Sequence, residues 1–253
     1  MELGVGHVRL HAKHRDDTVV VVVPSDAKNE ADVKAAEQTV VEYGNQRLLV
    51  KAPKQRGLFG RIGSIDITID LPHDSELSAT AREASFYSTG RLLSCRIKTS
   101  TGDAQFEEAG SLVVTTGVGD ISMDRADGPT EVTTGSGAVR IRELVGTAVL
   151  KSSNGSIVVD RACQSLEAKA ANGDIRIGEI VRGSIVLGTS IGQLEIGIGP
   201  DTSARLDIRS VSGSIHNFMT PTDGPEPSDE TAEVFASTTV GDVTIRRSTR
   251  PRG

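Results

Sequence analysis

The feature that most constrains this chain is a glycine that returns at a fixed interval. Turn glycines fall at Gly102, Gly119, Gly137, Gly155, Gly173, Gly192, Gly213 and Gly241, with central spacings of 18 residues. Two residues after the glycine stands Ile121, Val139, Ile157, Ile175 or Leu194, and four after it Met123, Ile141, Val159, Ile177 or Ile196. Ser122, Arg140, Val158, Arg176 and Glu195 alternate with these columns, giving the period of two of a half-buried strand. Val114, Val132, Leu150 and Ala168 form another apolar column five residues before the glycine. Each unit reads as two short strands joined by bends. A unit this small cannot bury its apolar face alone, so it must stack on its neighbours.

The charges say how the units stack. Six residues after the glycines the column reads Glu108, Arg125, Glu143, Arg161, Glu179, alternating in sign. The adjacent column, Glu107, Asp124, Arg142, Asp160, alternates after its first pair. Equivalent residues of stacked parallel coils lie about 4.8 Å apart, a separation that favours opposite charges and penalises like ones. The expected fold is all-β, a parallel β-solenoid of about ten coils. The rival is an antiparallel β-sandwich or meander, with Asn154-Gly155 and Asn172-Gly173 as hairpin turns.

The array extends ahead of Gly102. Residues 84–90 parallel residues 104–110, and Gly6-His7-Val8-Arg9-Leu10 and Gly63-Ser64-Ile65-Asp66-Ile67 start like repeat units. The chain 1–253 therefore reads as a single repeat domain with three departures. Residues 24–62 form an insertion packed at one end, with a short helix around Asn29–Glu37, a strand at Arg47–Ala52 and a basic loop. Residues 220–230, rich in Pro, Asp, Gly and Ser, form an exposed loop. Residues 246–253 form a flexible, Arg-rich tail.

Gly119-Asp120-Ile121-Ser122-Met123 and Gly173-Asp174-Ile175-Arg176-Ile177, with the Thr-Gly-x-Gly turns, resemble the bacterial putative-adhesin family of β-strand-repeat proteins, in its actinobacterial form. The resemblance covers essentially the whole chain. It implies a β-solenoid-like fold and very little about function, and it supplies no catalytic motif to carry over.

A net charge of −6 disfavours a broad grip on nucleic acid or anionic lipid. The longest apolar run, Val19–Val23, is too short to span a bilayer. Without a cationic and apolar leader, the expected location is cytoplasmic, with a surface location as the alternative if the start is trimmed. Cys95 and Cys163 sit on separate segments without a CxxC, and read as reduced packing residues rather than a disulfide or zinc pair. Asn154-Gly155-Ser156 reads as a turn.

The remaining candidate residues each have a structural reading. His7 and His11 share a strand face with Arg9 and Lys13, which opposes a metal site with His14; His73 and His216 have no partner nearby in sequence. Asp103, Asp120, Asp174 and Asp242 follow turn glycines and are expected to bond turn backbone rather than calcium. Glu107 and Asp124 are the one candidate acid/base pair, but a chain with no Trp, two Tyr and five Phe lacks the aromatic platforms of a sugar cleft. No catalytic residue, metal or cofactor is expected, and carbohydrate is not an expected ligand.

One stretch stands out as a partner contact. Lys54, Arg56, Leu58, Phe59 and Arg61 set an apolar pair among cations; the alternative is that Leu58 and Phe59 fold back as a cap over the first coil. The expected function is a non-enzymatic scaffold or protein-interaction module that self-associates or docks a protein partner. The alternatives are a surface adhesin or glycan-binding protein, and a divergent carbohydrate-active enzyme.

Overall fold

The structure, a computed structural model, describes residues 1–53, 63–220, 224 and 230–248. The chain divides into two compact units, Met1–Gly119 and Asp120–Gly253.

The second unit is the plainer of the two. Its strands are β8 (Ile121–Ala126), β9 (Thr130–Ser136), β10 (Val139–Leu144), β11 (Ala148–Asn154), β12 (Ile157–Ala162), β13 (Leu166–Asn172) and β14 (Ile175–Ile180), followed by β15 (Gly183–Ile191), β16 (Leu194–Ile198), β17 (Thr202–Ser212), β18 (Ile215–Asn217), β19 (Glu230–Val240) and β20 (Val243–Arg247). Strands β1–β7 belong to the first unit. All pairings among β8–β16 are parallel and run between strands two apart, β8 to β10 to β12 to β14 to β16 and β9 to β11 to β13 to β15. Residues one period apart are ladder partners: Val139 lies opposite both Ile121 and Ile157, and Glu143 opposite both Arg125 and Arg161. The coil is a parallel β-solenoid, and the antiparallel rival is not formed.

The inward columns are the ones the period of two marks. Ile121, Val139, Ile157, Ile175 and Leu194 are all buried, as are Met123, Ile141, Val159, Ile177 and Ile196. The turn glycines are required by the stacking itself. Gly155 has φ +149, and a Cβ there would sit 2.0 Å from the Gly137 carbonyl oxygen of the coil beneath. A side chain at that position would be strained and would push neighbouring coils apart.

At the carboxy-terminal end, spatial order departs from chain order. β19 lies between β15 and β17, and β20 between β16 and β18. The last strands of the chain are thus interior, and the outer coil is β17–β18, which precedes them in sequence. β20 runs through Arg247, two residues into the stretch expected to be a tail. Arg247 Nη1 donates to the carbonyls of Gly199 at 2.6 Å and Thr202 at 2.7 Å.

The first unit contains β1 (Glu2–Lys13), β2 (Val19–Pro24), α1 (Glu30–Glu37), β3 (Val40–Gly44), β4 (Arg47–Lys51), β5 (Ser64–Pro72), β6 (Ser75–Thr101) and β7 (Ala104–Val118). Here too the terminal strand is interior: β1 pairs in parallel with β5 on one edge and β6 on the other, and β6 pairs with β7. The departure from the stack begins at Val19, because β2 runs antiparallel on β5. The expected helix and strand of the insertion are α1 and β4. Asn29 caps α1 by accepting from Ala31 N at 2.9 Å. β3 and β4 form an antiparallel hairpin whose turn residues, Asn45 and Gln46, both have positive φ.

Residues 84–90 and 104–110, similar in sequence, do not stack in that similarity. Phe86 lies opposite Val8 and Ala104, and Phe106 opposite Ser88. Large side chains thereby meet small ones across the ladder, and both phenyl rings are buried.

Candidate functional site

The basic loop that the sequence nominates as a partner contact, Lys54, Arg56, Leu58, Phe59 and Arg61, lies outside the described residues, as do residues 221–223 and 225–229 of the expected exposed loop. The structure offers two other surfaces: a charged row on the side of the second unit, and its outer coil.

The charged row is the sequence ladder made physical. In the second unit Glu143 sits between two guanidiniums, bonded to Arg125 Nη1 through Oε2 and to Arg161 Nη1 through Oε1 at 3.2 Å. Arg161 Nε lies 3.6 Å from Glu179 Oε1, an ion-pair separation without a hydrogen bond. In the first unit Glu108 takes Arg91 Nε at 3.2 Å, and Arg91 also pairs with Asp74. Partial desolvation raises the Asp74 carboxyl, but the His73 hydrogen bond and the Arg91 charge together hold it below its ordinary range.

The parallel column explains a groove. Arg142 faces Asp124 at 3.7 Å, and continued alternation after Asp160 calls for a cation at 178, where the chain has glycine. A Cβ there would lie 2.7 Å from the Asp160 carbonyl, and the register shifts between Ile177 and Ile180. The missing side chain leaves an open groove of about 340 Å³ lined by Arg142, Arg161, Arg176, Arg246, Glu143 and Glu179. Arg176 and Arg246 both pair with Glu195. Each of these cations is matched by a carboxylate, so the groove holds ion pairs rather than an uncompensated charge.

The outer coil is different in kind. Among the described residues, β10 to β16, β19 and β20 each pair on both edges, whereas β17 pairs only with β19 and β18 only with β20. Ala204, Leu206 and Ile208 point inward but are only half-buried, while their ladder partners Ala232, Val234 and Ala236 are buried. Val211 is 81% exposed, Phe218 70% and Ile215 46%. His216 stacks on Phe218, with centroids 6.4 Å apart. This end of the core is uncovered among the described residues.

The other candidates resolve individually. Asp120, Asp174 and Asp242 each accept a backbone N–H at 2.7 Å, from Ala138, Gln193 and Ser214. They bond turn backbone, but the turn belongs to the neighbouring coil. The backbone N–H of Asp103 itself donates in the same sense, to Ser85 Oγ of the neighbouring strand at 3.2 Å. Glu107 accepts from Gly90 N at 2.7 Å, so it and Asp124 each have a partner of their own. Arg9 and Lys13 lie 3.9 Å from Asp66 and 3.6 Å from Asp70, and His11 bonds Thr89 Oγ1 at 3.0 Å. His14 stacks on His73 at 5.1 Å, a pairing invisible in sequence because β5 lies between them in the chain. Among the described residues no three His, Cys, Asp or Glu side chains converge as a metal-binding group. Both cysteines are free; burial pushes the Cys95 thiol well up and raises Cys163 as well.

A hydroxyl row went unread in the sequence. Three residues before successive turn glycines stand Thr116, Ser152, Thr189, Ser210 and Thr238, and their hydroxyls bond turn-glycine carbonyls, at 2.9 Å for Thr189 to Gly173 and 3.1 Å for Ser152 to Gly137. The signal was present as a Ser/Thr column with Ala170 as its gap. It satisfies turn carbonyls at the edge of an apolar core.

Parallel coils, stacked glycines and an inter-coil charge row define a β-strand-repeat protein. The chain belongs to the Toastrack DUF4097 family, whose model matches residues 4–249. It is similar to the solved structure of a putative adhesin from Bacteroides fragilis, at 13% identity and TM-score 0.52, covering 97% of this chain and 91% of that one. That likeness bears on the fold alone. A putative cell adhesion protein from Clostridium sporogenes aligns over the same shares at 11% identity and TM-score 0.24, too low to carry an argument. No curated protein matches the chain. No helix among the described residues is long and apolar enough to cross a membrane.

Proposed function

We propose that this chain is a non-enzymatic scaffold or protein-interaction module that works through its outer coil. The observation that carries the reading is the edge of β17 and β18 left unpaired among the described residues, beside exposed Val211, Ile215 and Phe218. An open strand edge offers backbone donors and acceptors to another chain, and an uncovered apolar end supplies the area that makes pairing favourable. The charged groove supports the reading less, because its guanidiniums are already paired.

The test compares the wild-type chain with a Val211→Ser, Phe218→Ser variant, by light scattering and by affinity capture from the native cell under mild lysis. Both substitutions fall on exposed side chains, so the fold should survive, which circular dichroism checks. The expected result is a complex, with itself or with a protein partner, that the variant weakens. A strict monomer that captures nothing, or a complex indifferent to the variant, overturns the reading.

A further inference from the structure

We propose that the partner of this edge is a second copy of the chain, with β17 pairing antiparallel to β17 of the copy in the register that sets Leu206 opposite Leu206. The inference rests on the interaction-module reading and names its partner.

The strand is built as an edge that can be extended. It keeps continuous register with β19 from Thr202 to Ser212, without a bulge and without proline. Natural edges are usually blunted by such devices. β2, the outer strand of the first unit, ends in Pro24. Inward, β17 presents Ala204, Leu206 and Ile208, half-buried where the next strand in is buried. One more strand would cover them.

The charges choose the occupant and the direction. On its outward face β17 alternates Arg205, Asp207, Arg209. A parallel, in-register copy would set arginine against arginine and aspartate against aspartate. An antiparallel copy centred on Leu206 sets Arg205 opposite Asp207 twice, once on each side of the two-fold axis. It also places Ala204 opposite Ile208, apolar on apolar, and Arg209 opposite Ser203. Centring on Asp207 instead would oppose the two aspartates and set Arg205 against Arg209. A slip by one residue would turn inward side chains to the outward face. Centring on Ile208 keeps the Arg–Asp pairs but sets Leu206 against Ser210 and Arg205 against Val211. Only the Leu206 register satisfies both faces. An isologous pairing of this kind closes as a dimer rather than growing as a filament.

Asp207 already bonds Arg209 within its own strand at 3.3 Å, so the aspartate is held in place for a cation on either side. In the dimer it would lie between Arg209 of its own strand and Arg205 of the copy.

The experiment uses the full chain in sedimentation velocity over a concentration series. Wild type should reach a dimer. Asp207→Arg should raise the dimer Kd by about tenfold or more, since it sets arginine against arginine on both sides of the axis. Arg205→Asp combined with Asp207→Arg should restore most of the affinity, because the swapped charges are again complementary. Leu206→Cys, made with Cys163→Ser, should form a disulfide-linked dimer under mild oxidation, and this readout stands even if a charge variant folds poorly. A dimer that ignores Asp207→Arg, or no cross-link at position 206, overturns the pairing. A monomer that still captures a different protein through the outer coil overturns this inference while leaving the interaction-module reading intact; a monomer that captures nothing removes both.

Discussion

Each of the two compact units holds strands between others that are not their sequence neighbours, and the two then finish their outer edges differently. In the first unit β1 is held between β5 and β6, and beyond β5 comes β2, with α1 packed beside it. The Asp32 carboxylate of α1 is buried and accepts from Ser64 N at 2.9 Å and Asp26 N at 3.2 Å, tying the insertion to the start of β5. A Cβ on Gly63 would lie 2.0 Å from Ala31 O, so glycine there is what lets the helix approach. In the second unit β19–β20 are held in the same way, but nothing described covers β17–β18. A strand held in the interior resists opening, because its backbone donors and acceptors are paired on both edges. Covering the outer strand is a separate act, which needs extra chain. The first unit uses an insertion for it, and among the described residues the second leaves an edge unpaired.

Four predictions break or sharpen this contrast, in falling order of effect. Leu150→Ala, in a fully buried ladder position, should cost about 2–5 kcal/mol in urea unfolding, while Leu206→Ala in the outer coil should cost under about 1 kcal/mol at concentrations where the chain is monomeric. Equal costs would mean that the outer coil is covered in solution. Gly155→Ala should cost about 2–4 kcal/mol through its positive φ and collision with the Gly137 carbonyl, whereas Gly44→Ala, with open space around it, should be within about 0.5 kcal/mol of wild type.

Asp32→Ala should cost about 1–3 kcal/mol by orphaning two backbone donors. Hydrogen exchange should then quicken in β2 and α1 and leave β19 unchanged; faster exchange throughout would show that the cover is not a separate element. The smallest effect is the pH dependence of Asp74. Its folded carboxyl sits below the ordinary range, so its contribution is present above that range and is lost as pH falls through the folded value. Urea midpoints between about pH 5 and pH 3 should fall slightly further for wild type than for Asp74→Asn. An identical fall in both would show that the pairing with His73 and Arg91 contributes nothing.

Much of the coil was legible because its information is local and repeated. The alternation at Ile121-Ser122-Met123 and its later copies marks the inward face, and the sign changes from Arg125 through Glu179 mark parallel stacking. The role of the post-glycine aspartates was half legible: their choice of backbone over metal follows from Asx chemistry, but their bonding to the next coil does not. Phe86 and Phe106 misled, since similarity at an offset of 20 residues hid a ladder set by packing volume. Asp32 was hidden too. An acidic residue in the first turn of a short helix normally faces solvent, and only the approach of Ser64 and Asp26 gives it buried donors to accept from.

The amino-acid sequence by itself determined the period, the inward columns and the direction of stacking, because side-chain alternation and charges one repeat apart act between residues that the repeat already brings into line. Tertiary structure alone decided which strands stand outermost. Several strands of similar pattern compete for each end of a solenoid, and the choice depends on the combined burial and backbone pairing of segments far apart in the chain, such as β5 beside β1 and β17 beside β19. No local pattern records that sum.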